Sequence, residues 1–308
     1  MQNLVPWLLF VSLFLSCAKN TERKVAEAID IAQTYLSDEK CDEAIKVLED
    51  VGRQNDDAIY LQVLASAYAC RGGFRTVEFI ANDVPDVNAV NLFRSVSILS
   101  NSAETEADSD AYNDLKTSLS ILQQTDKQDN RTAKFGSRKA GDMGVQILLL
   151  SFVQLGKYLH YYGNVNPTTG AKGGGSNTNS CFINYTHPAA IAIITDPGVD
   201  TGSCSTNNDG HPEMTGAELK RRLCEGSTLI ANLIDVITKV DLSGSSELSS
   251  LSGIVSTVNQ YRADATTYGV VHLLDLTSQT ACETLLNSST EMNNMQSYFA
   301  ALFETQLR

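Results

Sequence analysis

A short apolar stretch at the start of the chain, closed by a cysteine, constrains this protein more than any other feature. Residues 4–15 are apolar except for Ser12, and Ser16 and Cys17 follow directly. The stretch is too short for a membrane-spanning helix, which needs about 20 apolar residues. Its length and the small residue before the cysteine are typical of a secretory signal peptide with a cleavage site. We therefore expect residues 1–16 to be removed during export.

Residues 13–17, with the sequence Leu-Phe-Leu-Ser-Cys, resemble the lipobox of bacterial lipoproteins. The resemblance implies that Cys17 becomes the new N-terminus and carries fatty acyl chains such as palmitate. Two or more chains of this kind give stable membrane anchoring. Ala18 follows the cysteine where Asp would imply retention, so the resemblance implies an outer-membrane lipoprotein facing the periplasm. Two alternatives stay open: a plain signal peptide with an incidental cysteine, and a buried N-terminal helix.

The charge and composition of the chain restrict its class. The formal net charge is −13 at pH 7, and no charged side chain lies in residues 1–16. Nucleic-acid binding needs clustered Lys and Arg, so this charge argues against a nucleic-acid partner. Many Ala, Leu, Ser and Asn residues, few aromatic residues and six prolines favour helices over a β-sandwich. We predict a mainly α-helical fold.

Six cysteines remain after Cys17, and an even number in an exported protein predicts disulfides. We pair Cys41 with Cys70 because the two residues fall at the same end of adjacent antiparallel helices. The other two pairs follow from position along the chain. One joins residues that bracket an irregular segment, and one joins two helices of the C-terminal half; these are Cys181 with Cys204 and Cys224 with Cys282.

Apolar residues at helical spacing predict three helices in the first part of the chain, beginning at Glu22, at Cys41 and near residue 56. This part is similar to a tetratricopeptide (TPR) repeat, whose pattern of small, aromatic, small and bulky residues falls on Ala32, Tyr35, Ala44 and Leu48. Ala65 and Tyr68 repeat the first two positions 33 residues later, close to the family's period of about 34. Val77 and Ala81 then stand at the positions of the second small and bulky residues.

The TPR resemblance implies antiparallel helical hairpins packed into a helical bundle or a short solenoid. It also implies a concave binding surface, whose positions fall on Gln33, Gln62 and Ser66. The alternative is an ordinary antiparallel bundle. Residues 17–21 would form a lipidated tether before this helical region, which we place at residues 22–162.

Further along this region we predict helices at 86–101 and 111–124 and a buried central helix at 140–162. Between them lie an acidic loop and a basic stripe. The loop is either solvated or a calcium site; its acidic residues are Glu104, Glu106, Asp108 and Asp110. The stripe is either a solvated face or a contact for lipid headgroups or an acidic partner; its members are Lys127, Arg131, Lys134 and Arg138.

Residues 163–214 lose the helical pattern and form a Gly- and Asn-rich insertion, in which residues 191–194 could make one short strand or buried turn. The insertion also offers four candidate zinc ligands, namely Cys181, His187, Cys204 and His211. A helix at 215–240, a Ser-rich connector at 243–250, and helices near 247–262, 263–276 and 278–305 follow. We expect residues 215–308 to form one continuous domain with residues 22–162.

The sequence contains no motif typical of a catalytic site, and we predict neither an enzyme nor a cofactor. The combined resemblances imply an envelope lipoprotein that presents a helical-repeat surface to a protein partner. Two alternatives are kept. In one, the helical domain encloses a small ligand in an apolar cavity beside residues 140–162, as TPR-like lipoproteins associated with solute transporters do. In the other, residues 163–214 bind a metal ion.

Overall fold

The first helix, α1 (Val5–Ser37), runs without interruption because residues 7–37 contain neither glycine nor proline. Residues 17–21, predicted as the lipidated tether, are therefore helical. The structure is a computed structural model. Of residues 5–20, 250 and 252 only the backbone is described, so the side chain of Cys17 lies outside the described part. The residues that the structure describes are 5–124, 127–175, 178–196, 204, 209–242, 248 and 250–307.

Helices α2 (Cys41–Asp50) and α3 (Ala58–Arg71) form where the sequence predicted them. Gly52 adopts φ +78° just after α2, a conformation that glycine reaches without steric cost. The Asp57 carboxylate caps α3 by accepting hydrogen bonds from the backbone N–H groups of residues 59 and 60, at 2.9 and 3.2 Å. We call residues 21–71 the helical hairpins. Their buried residues include four of the TPR-like positions, Ala32, Ala44, Leu48 and Ala65.

The prediction of one continuous helix at residues 86–101 is wrong. The chain instead forms a short helix with a π-helical extension, α4 (Thr76–Glu78, then Phe79–Asp83), and α5 covers only Leu92–Ser97. The Asn88 side chain accepts hydrogen bonds from the backbone N–H groups of residues 90 and 91, at 2.9 and 3.3 Å. This local turn competes with helix formation and delays the start of α5.

Helix α8 (Ser137–Tyr162) is the central helix that the sequence predicted, and it follows α6 (Asp110–Leu122) and α7 (Gln128–Phe135). It packs against α3, α5, α6, α7 and the later helix α10 (Gly216–Ile237). Two glycines allow close approach on opposite sides. A Cβ atom on Gly156 would lie 2.2 Å from the Val96 carbonyl oxygen, and one on Gly226 would lie 2.6 Å from the Tyr158 ring.

The basic stripe does not exist as a surface, because Gly136 (φ +81°) separates α7 from α8. Arg131 is buried rather than solvated. Its Nε donates to Gln128 Oε1 at 2.9 Å, and its guanidinium lies 3.8 Å from the Asp235 carboxylate. The interpretation of the stripe as a solvated face is therefore wrong for Arg131.

The acidic loop is solvated at two of its four carboxylates, since Glu106 and Asp110 are exposed. The buried Glu104 carboxylate lies 3.2 Å from Lys157 Nζ, and the Asp108 carboxylate accepts a hydrogen bond from Arg222 at 2.9 Å. The hydrogen bond from Arg222, with a second from Arg221, lowers the pKa of Asp108 well below its usual value. Glu104 and Asp108 are therefore bound to cationic side chains of the protein, which corrects the solvated interpretation at these two residues.

The insertion at residues 163–214 contains a helix, α9 (Pro188–Thr195), where the sequence predicted a strand or turn. Pro188 occupies its first turn, a position that favours helix initiation. Two isolated β-bridges, Val165 with Lys172 and Cys181 with Gly210, fix the rest of the described insertion.

The C-terminal helices differ in their boundaries from the prediction. Helix α11 (Ile254–Thr267) crosses the predicted break at 262, and the segment predicted at 278–305 is divided into α12 (Gln279–Leu285) and α13 (Ser289–Tyr298). Ser288 has an extended backbone and separates α12 from α13. At its C-terminal end, α13 continues as a π-helical turn, Phe299–Glu304. Most of the predicted connector, residues 243–247 and 249, lies outside the described residues.

Three disulfides form in the predicted pairing: Cys41–Cys70, Cys181–Cys204 and Cys224–Cys282. The zinc interpretation is wrong, because a metal site needs thiolates and the sulfurs of Cys181 and Cys204 are bonded to each other. One cluster of buried apolar side chains extends from Val25 to Leu307 and so joins residues 22–162 to residues 215–308. Within the described part of the chain, no helix has the length and apolar character needed to cross a bilayer.

Candidate interaction groove

An open groove of about 770 Å³ lies between the first turns of α1 after residue 20 and the loop that leads into α3. We call it the interaction groove. One wall is formed by α1, and the other by the loop before α3 and the first turn of α3. Its lining residues are Thr21, Glu22, Val25, Ala26, Ile29, Asp30, Gln33, Arg53, Gln54, Asn55, Asp56, Asp57 and Ile59.

The floor of the interaction groove is apolar. Val25 and Ile29 pack into the core of the helical hairpins, and Ala26 lies between them on α1. Ile59 completes the floor from α3, but 46% of its surface is exposed. Its exposed apolar surface is therefore available to another apolar side chain.

The rim of the groove is acidic. Glu22 and Asp30 lie on α1, Asp56 and Asp57 lie on the opposite wall, and Arg53 is the one cation in the lining. Lys134 from α7 pairs with Asp56 at 2.9 Å, and the Asp57 carboxylate caps α3. Four carboxylates still outnumber the two cations, Arg53 and Lys134, so the rim has a net negative charge, which attracts a cationic surface.

The predicted partner-binding residues do not share one surface. Gln33 lines the interaction groove and is exposed. Gln62 and Ser66 instead face α8, where the Gln146 side-chain amide donates to the Gln62 carbonyl oxygen at 3.1 Å and to Ser66 Oγ at 3.0 Å. Gln62 and Ser66 are both half-buried, so α8 takes up part of the face that the repeat resemblance assigned to a partner.

The sequence carried one usable signal for the groove. Ile59 lies off the apolar spacing of α3, whose buried stripe includes Leu61, Leu64 and Ala65. A large apolar residue off the buried stripe, preceded by an acidic loop, indicates an exposed apolar contact with an acidic border.

The groove also has a defined position relative to Cys17. Its first lining residue, Thr21, follows Cys17 by four residues within the continuous helix α1. Four helical residues span about 6 Å.

Comparisons of this chain with models of protein families, with curated proteins and with solved structures find no significant match.

Proposed function

We propose that this protein is a lipid-anchored envelope lipoprotein that binds a basic, amphipathic helix of an envelope protein in its interaction groove. The observation that carries the proposal is the combination of an apolar floor with an acidic rim. An amphipathic helix places apolar anchors at every third or fourth position and can carry Lys and Arg beside them. Such a helix matches the floor and the rim at the same time.

Charge complementarity assigns different roles to the two parts of the groove. The acidic rim speeds the encounter with a cationic helix, and this contribution weakens as salt screens the charges. The apolar floor around Ile59 supplies the contact that resists dissociation. We therefore expect the association rate to fall with salt and the dissociation rate to rise when Ile59 is replaced.

The lipobox resemblance supports the location in this proposal. Acylation of Cys17 would hold the groove within a few residues of the bilayer, so the partner helix would belong to a membrane protein or to a segment lying beside the membrane. The intact mass of protein made with its own N-terminus tests this step. A mass that includes acyl chains on Cys17 supports the anchor, and an unmodified cleaved chain contradicts it.

A designed peptide tests the groove directly. A helical Leu-Lys peptide, labelled for fluorescence anisotropy, is expected to bind the folded protein with an affinity that falls as salt is raised. Ile59→Lys should weaken binding at least about tenfold, because it places a charge on the apolar floor and repels the peptide. Ile31→Lys is the matched control, since Ile31 is 45% exposed on α1 but does not line the groove.

Two outcomes would contradict the proposed groove. One is equal binding by wild type, Ile59→Lys and Ile31→Lys. The other is equal binding of a Leu-Glu peptide of the same length, since the acidic rim should repel it.

A further inference from the structure

A second concave site lies on the opposite side of α6 from the helical hairpins, where α6, α8, α10 and α12 meet. It is a partly open cavity of about 150 Å³, which we call the polar cavity. A cavity of this size holds a ligand of roughly six non-hydrogen atoms, as engineered apolar cavities of similar volume hold benzene. The polar residues that carry the following argument are Lys116, Ser120, Gln154, Thr228, Asn232 and Gln279.

Gln154 on α8 is the most informative residue of the cavity. Its side chain is 1% exposed, and neither its amide nitrogen nor its amide oxygen makes a hydrogen bond of full geometry. The Tyr112 hydroxyl is close enough to form a weak, poorly aligned hydrogen bond with the amide, which engages one of its two groups. The other group is buried without a partner, which is unfavourable unless a bound molecule pairs with it.

Four polar side chains of the cavity present acceptors, while Lys116 and Gln123 add donors. The hydrogens of the four are already donated elsewhere, which leaves their oxygen lone pairs for a ligand. Ser120 donates to the Thr117 carbonyl at 2.8 Å, Thr228 to the Cys224 carbonyl at 2.8 Å, and Asn232 to the carbonyls of Thr228 and Thr277 at 2.8 and 2.9 Å. Gln279 likewise donates to the Arg221 carbonyl at 2.9 Å and to the Glu283 carboxylate at 2.6 Å.

The charges beside the cavity are balanced. Lys116 Nζ lies 2.7 Å from one Glu225 oxygen, and Arg222 donates to the other at 3.1 Å. Arg222 also donates to Asp108 at 2.9 Å, and Arg221 pairs with Asp108 and Glu218, so three cations face three carboxylates. A charged ligand would have to break this network, whereas an uncharged ligand would leave it intact.

We infer that the polar cavity binds a small polyol of about six non-hydrogen atoms. Each hydroxyl of such a molecule donates one hydrogen bond to the acceptor-rich wall and accepts from the Gln154 amide or the Lys116 ammonium. The volume, the incompletely paired amide, the mixture of acceptors and donors and the balanced charge all fit this class. The inference is independent of the interaction groove, which lies between α1 and α3.

Ligand-detected NMR titration of the full-length folded protein with glycerol and with erythritol tests the inference. Wild type is expected to show saturable binding in the millimolar range or tighter, while propan-1-ol, which has one hydroxyl, is expected to show none. Gln154→Leu should weaken polyol binding at least about tenfold, because it removes both the donor and the acceptor. Gln146→Leu is the control, since Gln146 lies on the same helix and contacts α3 instead of the cavity.

The melting temperature checks that Gln154→Leu is folded. We expect it to melt no lower than wild type, because leucine removes a buried amide that is incompletely paired. If it does not fold, Ser120→Trp replaces it, since a large side chain at this exposed position would fill the cavity. The inference is overturned if wild type shows no saturable binding of either polyol, or if the folded cavity variant binds as tightly as Gln146→Leu.

Discussion

The helical hairpins (residues 21–71) and the insertion (residues 163–214) differ in what they bury. Among the described residues, the hairpins bury no polar or charged side chain of the kind found in the insertion. The described part of the insertion buries several, including Asn164, Lys172, Asn179 and His211. The hairpins satisfy their backbone groups within regular helices. Their side chains therefore need only to fill space, and small and apolar residues at helical spacing do so.

The insertion has little regular structure and depends on side chains from the end of the chain. Gln296 Oε1 accepts hydrogen bonds from the backbone N–H groups of Thr186 and His187 at 2.8 and 2.9 Å. Glu304 Oε1 accepts from the Phe182 N–H at 2.7 Å and from the Tyr185 hydroxyl at 2.9 Å. Buried backbone groups must be paired, so an irregular segment can be buried only where other elements supply the partners.

One ion pair connects the insertion to the C-terminal π-helical turn. Lys172 Nζ lies 3.1 Å from Glu304 Oε2, and both side chains are almost completely buried. The same ammonium lies 4.2 Å from the centre of the Phe182 ring. A buried pair of this kind is costly to break, because removal of one partner leaves the other charge without compensation.

The largest effect is expected when this pair is broken. Lys172→Met leaves the Glu304 carboxylate buried and unpaired, and we expect the free energy of unfolding to fall by about 3–5 kcal/mol. Urea unfolding followed by circular dichroism measures it. Lys46→Met is the matched control in the hairpins, where the exposed Lys46–Asp50 pair at 2.7 Å is worth at most about 1 kcal/mol.

A second variant sharpens this comparison. The double variant carries Glu304→Gln in addition to Lys172→Met. The glutamine has no charge and keeps a side-chain oxygen that accepts from the Phe182 N–H. We therefore expect the double variant to recover part of the stability that Lys172→Met loses. The account of the insertion fails if Lys172→Met costs no more than Lys46→Met.

The next effect concerns pH. His211 is buried against the rings of Tyr161 and Tyr162, at centroid distances of 4.8 and 5.1 Å. Burial lowers its pKa from 6.5 to about 4, although the Glu213 charge acts in the opposite direction. The folded protein therefore keeps His211 neutral where the unfolded chain protonates it. As pH falls from about 6.5 to about 4, the fold should lose up to about 3 kcal/mol.

Urea unfolding at pH 7 and pH 4.5 tests this expectation. Wild type should be less stable at the lower pH, and His211→Leu should reduce the difference because it removes the titrating group. The helical hairpins contain no histidine, so they contribute nothing comparable in this range. An identical loss of stability in the two proteins would show that His211 is not responsible.

The contrast between the helical hairpins and the insertion also explains which features the sequence could predict. The boundaries of α2, α3 and α8 follow from local spacing and from adjacent end signals such as Asp57 and Gly52. The disulfide pairing followed from helix direction and order along the chain. These features depend on residues that are close in sequence, or on the simple geometry of antiparallel helices.

The incorrect predictions depend on distant residues. Arg131 is buried because Asp235, 104 positions later in the sequence, lies beside it. Ser66 is half-buried because Gln146 of α8 lies beside it and donates a hydrogen bond to its hydroxyl. The interaction groove and the polar cavity are formed by segments whose meeting no local pattern reveals, although the exposed position of Ile59 could be read from its spacing.

The smallest effect tests how far the repeat resemblance extends beyond the first hairpin. Val77 stands at the family's small buried position in the second unit, 33 residues after Ala44, yet it is 81% exposed. Val77→Lys should therefore change the free energy of unfolding by no more than about 0.5 kcal/mol. Ala44→Lys, at the equivalent buried position of the first unit, should cost more than about 3 kcal/mol because it buries a charge. Comparable losses in the two variants would mean that residues 76–83 pack as a complete second repeat, and that the hairpins extend further than the structure places them.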